Sequence, residues 1–339
     1  MTVRKRRSTC WCENTESLLL GAWSPRDRFT PQQAYCALRN EPLVSIVIVS
    51  FNDEDLLRKL FRSLKNQGYQ NYEVVIVDNA SNSSVRAFAK THNALYVRAE
   101  SNLGYTGGNN LGVSRAKGGI ILILNPDTRL SPISLSRMVH ALSNHGPRCM
   151  VVVPKVMIKD SNQINSVGMR RFHKRANLYA NIGYLETDHG QYDQANRVEA
   201  FDGAAFIFRR SLLSKTYLFN PFYFGGEEVL DLAERIGSLG YEIWTCPDAV
   251  VKHELHASSR GPSDFTVRST IIRNSLAHTL TNRGATAIIL TALTLIHFSL
   301  VRIRQREFLT AKLYTQGIVR FTLDLGLIIR STAALKESI

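Results

Sequence analysis

Three short runs of branched apolar residues, "LVSIVIVS", "YEVVIVDNAS" and "GGIILILNPDTRL", each give way to amide or acidic residues, and this repeat constrains the fold more than any other feature. Unbroken Val/Ile/Leu runs, as opposed to alternating ones, are the pattern of parallel strands covered on both faces. Between the first two runs Asp53 can cap a helix whose Leu57, Leu60, Phe61 and Leu64 share one side, with Gly68 just past its end. A helix from about Ser84 to His92 and a short strand "ALYVRA" follow the second run, and Ser131 with Pro132 can open a helix after the third. The expectation is an α/β chain built on a mostly parallel open sheet flanked by helices. Ligands of such sheets bind beyond the carboxyl ends of the strands. Phe51, Asn52, Asp78, Asn79 and Asp127 should therefore line one crevice.

The 339 residues are 44% apolar, which suits one large α/β domain or two small ones with a substantial core. A formal charge of +14 calls for an anionic partner: nucleic acid, a membrane surface or a phosphorylated ligand. Between Arg260 and Ile339 stand eleven Lys/Arg and four Asp/Glu, so half of the excess lies in the last quarter of the chain. Five cysteines (10, 12, 36, 149 and 246) show neither CxxC nor zinc-finger spacing, which fits a reducing compartment. Residues 1–41 read as a poorly ordered basic arm, because Leu18 to Leu20 is too short for a signal-peptide core. The glycine-rich stretch "SNLGYTGGNNLG" reads as a loop. It matches neither GxGxxG nor a P-loop, so no dinucleotide or ATP cradle is indicated.

Taken in order, "VSIVIVSFN", "YEVVIVDNAS", "SNLGYTGGNNLGVSRA", "ILILNPDT", "VEAFDGAAFIFRR", "GGEEVLDLAERIGSLGY" and "PDAVVKHE" resemble the inverting glycosyltransferases of family two. The resemblance covers residues 42–259, is strongest to the rhamnosyltransferase-like branch, and implies the GT-A fold. It implies that Phe51 packs on the nucleotide base and Asp78 hydrogen-bonds it. Asn102, Gly104, Gly108 and Asn110 of the glycine-rich loop would lie along the nucleotide and donor sugar, with Asp202 near that sugar. Asp127 stands where the family's DXD motif supplies a ligand to Mg²⁺ or Mn²⁺, and His253 where a second ligand or phosphate contact is often found. A divalent metal is chemically reasonable there, since hard cations take one or two carboxylates together with substrate phosphates.

The resemblance also implies a general base from an acidic pair opening a helix. Here the usual Glu-Asp-x-Asp spacing is altered to Glu227, Glu228, Val229, Leu230, Asp231. Glu228 is the first candidate, Asp231 the second, and Glu227 the third acid of the group. The change leaves open a binding protein for nucleotide sugar or glycan that does not turn over. The basic, aromatic "RRFHKRANLY" (Arg170 to Tyr179) reads as a loop over donor or acceptor phosphates, with no nucleic-acid module around it.

After Ser259, "RSTIIRNSLAHTLTNRG" reads as a basic amphipathic helix with Ile271, Ile272, Leu276 and Leu280 on one side. The next run, "ATAIILTALTLIHFSLV", falls short of the ~20 residues of a membrane span and fits a helix lying in the interface better than the alternative of a helix packed in the soluble core. Residues 260–339 are thus expected to form a helical, membrane-associating extension. It would hold the chain at an anionic membrane surface on the cytoplasmic face, near a glycan or lipid-linked acceptor. The expected donor is a nucleotide sugar, dTDP-rhamnose being one candidate. Nucleic acid is not an expected partner, and the polymer-extruding synthases are disfavoured because no Q-x-x-R-W segment is present.

Overall fold

The computed structural model describes residues 41–82, 85–173, 178–255, 264–304 and 308–337. The basic arm, apart from its last residue, lies outside the described residues, as do the centre of the Arg170 to Tyr179 segment and the stretch 256–263.

The first half alternates strands and helices: β1 (Val44–Ser50), α1 (Glu54–Lys65), β2 (Tyr72–Asp78), α2 (Val85–Thr91), β3 (Leu95–Arg98), α3 (Gly104–Arg115) and β4 (Ile120–Leu124). Next come β5 (Thr128–Leu130), α4 (Ser134–Asn144), β6 (Cys149–Ile158), β7 (Ile164–Ser166), β8 (Met169–His173), β9 (Leu178–Asn181), β10 (Arg197–Val198) and β11 (Ala205–Arg209). The last elements are α5 (Glu228–Ser238), β12 (Glu242–His253), α6 (Asp264–Arg304) and α7 (Phe308–Glu337).

The main sheet has the order β10-β12-β6-β11-β4-β1-β2-β3, with β5 added to β12 and β7 to β6, while β8 and β9 form a separate ribbon. β3, β2, β1 and β4 are parallel, as are β12 and β6. β11 runs antiparallel between β4 and β6. That reversal brings the residues before β11 to the edge of the sheet where β1, β2 and β4 end.

Successive side chains on a strand point to opposite faces, and here both faces are covered. Ile46 and Ile48 pack with Leu57, Leu60, Phe61 and Leu64 of α1 and with Leu135 and Met138 of α4. Val47, Ile121, Ile123, Phe206 and Phe208 pack on the other side with Val113 of α3 and Leu232 and Ile236 of α5. Each such fully buried side chain contributes on the order of 1.5–3 kcal/mol. The acids at the tips are thus held by strands that cannot shift without opening this core.

Two elements differ from the sequence expectation. The glycine-rich stretch is a helix. Its glycines allow close approach: a Cβ at Gly108 would lie 2.7 Å from Val49 Cγ1, and one at Gly112 2.4 Å from Val47 Cγ1. Its start is supported from outside, because the Leu103 N–H donates to Asn79 Oδ1 (2.8 Å) and the Gly104 N–H to Asn102 Oδ1 (2.8 Å). The α4 helix starts later than the Ser131–Pro132 pair suggests. Ser131 still serves the turn, its Oγ 2.7 Å from Ser134 Oγ and its carbonyl accepting the Ser134 N–H.

In the last quarter, the expected amphipathic helix and apolar run are one helix, the 41-residue α6, and α7 packs along it. Among the described residues no helix is long and apolar enough to cross a membrane. Ile289, Leu293, Ile296 and Leu300 are exposed along α6, at helical spacing on one face, and Val319, Leu323 and Leu327 are exposed on α7.

Candidate active site at the strand tips

The β1 and β2 tips are in register, Ser50 opposite Asp78. They are latched beyond the strands: Asn52, at φ 60°, accepts the Asn82 N–H on its side-chain oxygen (2.8 Å) while its own N–H donates to Ser81 Oγ (3.0 Å). Phe51 is half-buried at the β1 tip, its N–H donating to Asp53 Oδ2 (3.3 Å). Asp78 is 1% exposed. Its Oδ2 accepts from Tyr96 Oη (2.7 Å) and Arg98 Nη1 (2.5 Å), and its Oδ1 from the Ser81 N–H (2.9 Å). Burial, the largest influence, raises its pKa, but the bonds from Tyr96, the Ser81 N–H and Arg98 together outweigh it and hold the carboxyl below its ordinary value. Period-two alternation along "YVR" puts Tyr96 and Arg98 on one face of β3, a signal present in the sequence.

Asn79 carries the contact onward. Its Nδ2 donates to Asn102 Oδ1 (2.9 Å) and to the Gly104 carbonyl (3.2 Å). Gly104 has φ +67°, and a Cβ there would meet the Phe224 carbonyl oxygen at 2.1 Å, so only glycine fits. Gly108 faces β1. Asn110 is engaged with the Phe219 backbone at both ends of its amide, Nδ2 donating to the carbonyl (2.8 Å) and Oδ1 accepting the N–H (3.2 Å).

On the other side, β4 ends at Leu124 and the Asn125 N–H donates to the Ala204 carbonyl (2.9 Å). Asp202 accepts the Ala204 N–H on Oδ1 (2.7 Å), and the Gly203 carbonyl accepts from Tyr105 Oη (2.7 Å). Asp127 is buried, and His253 Nε2 lies 3.2 Å from its Oδ1. That pairing follows from the sheet, in which His253 at the end of β12 is opposite Thr128 of β5. Burial lowers the His253 pKa, but the contact with Asp127 and then the charge of Asp202 outweigh it, leaving a net rise.

The acids of α5 are distinguished by their partners. Asp231 Oδ2 accepts from Arg235 Nε (2.9 Å), and Arg235 also donates to Thr216 Oγ1 and the Tyr217 and Leu218 carbonyls. Glu227 Oε2 lies 3.3 Å from His278 Nδ1. Glu228 is buried, and its Oε2 has no hydrogen-bond partner among the described residues. Burial, aided by the neighbouring charges of Glu227 and Asp231 and opposed by backbone N–H groups, pushes it up to about 8. Tyr105 feels the charge of this carboxyl while its hydroxyl donates to the Gly203 carbonyl. Burial and then the charges of Glu228 and Asp202 raise its own pKa. Contacts run from Asp78 through Asn79, Asn102 and Gly104 to Phe224, a few residues before α5, and Asp127 is in contact with His253, while Tyr105 feels the charges of both Glu228 and Asp202. Sequence reasoning missed Tyr105, Tyr96, Arg98 and His278.

Asp127 and His253 offer one carboxylate oxygen and one imidazole nitrogen, a donor set that fits Mg²⁺ or Mn²⁺ when substrate phosphates complete the shell. Among the described residues no group of three or more His, Cys, Asp or Glu forms a protein-only cage. A cavity of about 530 Å³ is lined by Arg171, Tyr179, Arg197, Glu234 and Tyr241 along the later turns of α5. It includes none of Asp78, Asp127 or Glu228, and the candidate site is placed at the strand tips, where Asp78 ends β2 and Asp127 follows β4.

This architecture is the GT-A fold. Solved structures similar to it include GalNAc-T7 with UDP, GalNAc and Mn²⁺ (TM-score 0.59, 19% identity, 72% of this chain and 49% of that one). Another is the mannosyltransferase PcManGT from Pyrobaculum calidifontis with GDP-Man and Mn²⁺ (TM-score 0.54, 18% identity, 85% of this chain and 89% of that one). The family model for Glycosyl transferase family 2 matches residues 45–216, and the chain belongs to that family. It is 22% identical over 209 residues to the low-salt glycan biosynthesis hexosyltransferase Agl10 of Haloferax volcanii, covering 60% of this chain and 64% of that protein, just under two thirds of its length. It is 24% identical over 245 residues to the N-acetylglucosaminyl-diphospho-decaprenol L-rhamnosyltransferase of Mycobacterium tuberculosis, covering 65% of this chain and 79% of that protein.

Proposed function

We propose that this glycosyltransferase is an inverting, metal-dependent hexosyltransferase that moves a sugar from a nucleoside diphosphate donor to a cell-envelope glycan or lipid-linked acceptor. The observation that carries the reading is Glu228: a buried carboxyl at the start of α5 whose Oε2 has no hydrogen-bond partner among the described residues, and whose charge is felt by Tyr105, which is bonded to the Gly203 carbonyl just before β11. Asp231 and Glu227 have cationic or imidazole partners, which favours Glu228 as the base.

In this reading Phe51 and Asp78 hold the nucleotide base. Asn102 and Gly104 shape the groove for the phosphates and sugar, and Asp202 faces the donor sugar. Gly108 and Asn110 seat α3 through their contacts with Val49 and Phe219. Asp127 and His253 would hold the metal, which when bound neutralises charge on the diphosphate. The acceptor oxygen attacks the anomeric carbon from the side opposite the diphosphate, and its proton passes to the Glu228 carboxylate. The bond from the anomeric carbon to the phosphate oxygen breaks, its electron pair leaving with the nucleoside diphosphate. A carboxylate base contributes about 10²–10⁴ in rate.

The named relatives support a hexose donor and, through the mycobacterial enzyme, rhamnose on a lipid-linked acceptor. The apolar faces of α6 and α7 support peripheral attachment to the cytoplasmic face of an anionic membrane. The test is release of nucleoside diphosphate from dTDP-rhamnose, GDP-mannose and UDP-GlcNAc with Mn²⁺ and acceptor lipid. Glu228→Gln should lower transfer by about 10²–10⁴ with donor binding retained. Normal turnover in Glu228→Gln with loss in Asp231→Ala would move the base. No release by the unmodified chain with any donor would leave a binding protein.

A further inference from the structure

The segment that delivers Glu228 is strained. Gly226 has φ +88°, and Glu227 has φ +74°, a left-handed conformation that a residue with a side chain rarely adopts. Such a backbone persists where its surroundings over-determine it. Here the surroundings are α6, which lies outside the residues matched by the family model.

Four residues of α6 grip residues 222–227. Asn274, fully buried, donates from Nδ2 to the Gly225 carbonyl (3.1 Å) and the Gly226 carbonyl (2.9 Å). A Cβ on Gly226 would lie 2.8 Å from Ile271 Cγ1, so the segment is pressed against the helix. The Arg273 guanidinium sits 4.0 Å over the Phe222 ring, donates to the Phe222 carbonyl (3.3 Å) and pairs with Asp324 of α7 (3.0 Å). His278, also fully buried, bridges Glu227, just before α5, and Glu234 of α5, with Nδ1 3.3 Å from Glu227 Oε2 and Nε2 3.3 Å from Glu234 Oε2. Glu234 in turn accepts from Arg171 (2.7 Å) and Tyr179 (2.8 Å) of the β8–β9 ribbon. Burial disfavours the charged imidazole, but the bonds to Glu227 and Glu234 outweigh it and carry the His278 pKa up to about 9. A charged imidazole between two carboxylates satisfies buried charges that would each be costly alone.

We propose that Asn274 and His278 are positioning residues for the acidic segment: by fixing the Gly225–Glu227 backbone they place the Glu228 carboxylate against the acceptor hydroxyl. Glu227 is then an anchor and Glu228 the reacting acid, which accounts for two adjacent acids with different partners. In this reading both act through the segment they hold and not on the donor itself. The inference rests on the transferase reading, and it makes the first turns of α6 part of the catalytic unit.

The test uses the full chain with Asn274→Ala, His278→Ala and His278→Gln. Turnover is measured with each of dTDP-rhamnose, GDP-mannose and UDP-GlcNAc plus Mn²⁺ and acceptor lipid. Backbone hydrogen exchange over 222–230 is measured without substrate. Displacing a reacting group by about 1 Å costs on the order of 10² in rate. Both alanine variants should therefore lose about that factor in kcat with the donor KM within about threefold of normal, and His278→Gln should recover part. Exchange over 222–230 should quicken in both. In the His278→Ala, Glu227→Gln pair the losses should be strongly non-additive, since the residues act through each other. Unchanged kcat, or unchanged exchange in that segment, overturns the proposal. If the unmodified chain transfers no sugar, the transferase reading fails, while the exchange measurement still decides whether α6 holds the segment.

Discussion

At the scale of single residues, the three acids of the α5 start show how one short stretch can divide its tasks by environment. Asp231 is paired with Arg235 and Glu227 with His278, leaving Glu228 with no side-chain cation and one buried oxygen without a partner among the described residues. A carboxyl raised from 4.5 to about 8 disfavours the folded state once the unfolded chain ionises. Its contribution is fully present below about pH 4.5 and is lost as pH rises towards 8, with a limiting slope of about 1.4 kcal/mol per pH unit. Glu228→Gln removes this loss. That variant should be impaired in transfer yet more stable than the unmodified chain at pH 7–8, and the two urea denaturation curves should converge towards pH 4.5. Transfer by the unmodified chain should rise with pH up to about 8, since the base acts ionised. The placing of Phe51, Asp78 and Asp127 at or beyond strand ends was legible in the sequence because each follows an apolar run. The division of labour among the acids of the α5 start was not, because it depends on Arg235 donating to a loop and on His278 arriving from a helix about 50 positions away.

At the scale of elements, the strands and the helices that pack on them could be read directly, since unbroken apolar runs and 3.6-residue spacing are local signals. The α3 helix could not. Four glycines in twelve residues argue against a helix by propensity, and the opposing term is tertiary: close packing on β1 and β2, with Asn79 and Asn102 satisfying its first N–H groups. Gly112→Ala tests this account. An exposed helical glycine gains up to about 1 kcal/mol from that change. Here the new Cβ would lie 2.4 Å from Val47 Cγ1 and 3.0 Å from Val77 Cγ2. We expect a net destabilisation of about 1–3 kcal/mol in urea unfolding, and a stabilised variant would contradict the packing argument. The antiparallel β11 was likewise illegible as to direction, because a buried strand of either polarity carries the same apolar run.

At the scale of the whole molecule, a sheet with an acidic edge is joined to a basic helical pair. The side chains of Ile289, Leu293, Ile296 and Leu300 leave α6 on one face, and Leu300 is 60% exposed. Apolar exposure of this kind beside a net positive charge fits an anionic membrane surface. The chain should float with vesicles containing phosphatidylglycerol and remain behind with neutral ones. Leu293→Asp with Leu300→Asp should abolish flotation while leaving nucleoside diphosphate binding unchanged. Retained flotation in that double variant would place the contact elsewhere.

The account turns on Asp127 and Glu228 serving one diphosphate-centred site, and titration calorimetry of UDP, GDP and dTDP with and without Mn²⁺ reads this most directly. Binding should require Mn²⁺, persist in Glu228→Gln, and weaken by at least about 100-fold in Asp127→Ala, as loss of an important charge contact implies. Equal affinity in Asp127→Ala and the unmodified chain, with or without Mn²⁺, would contradict it.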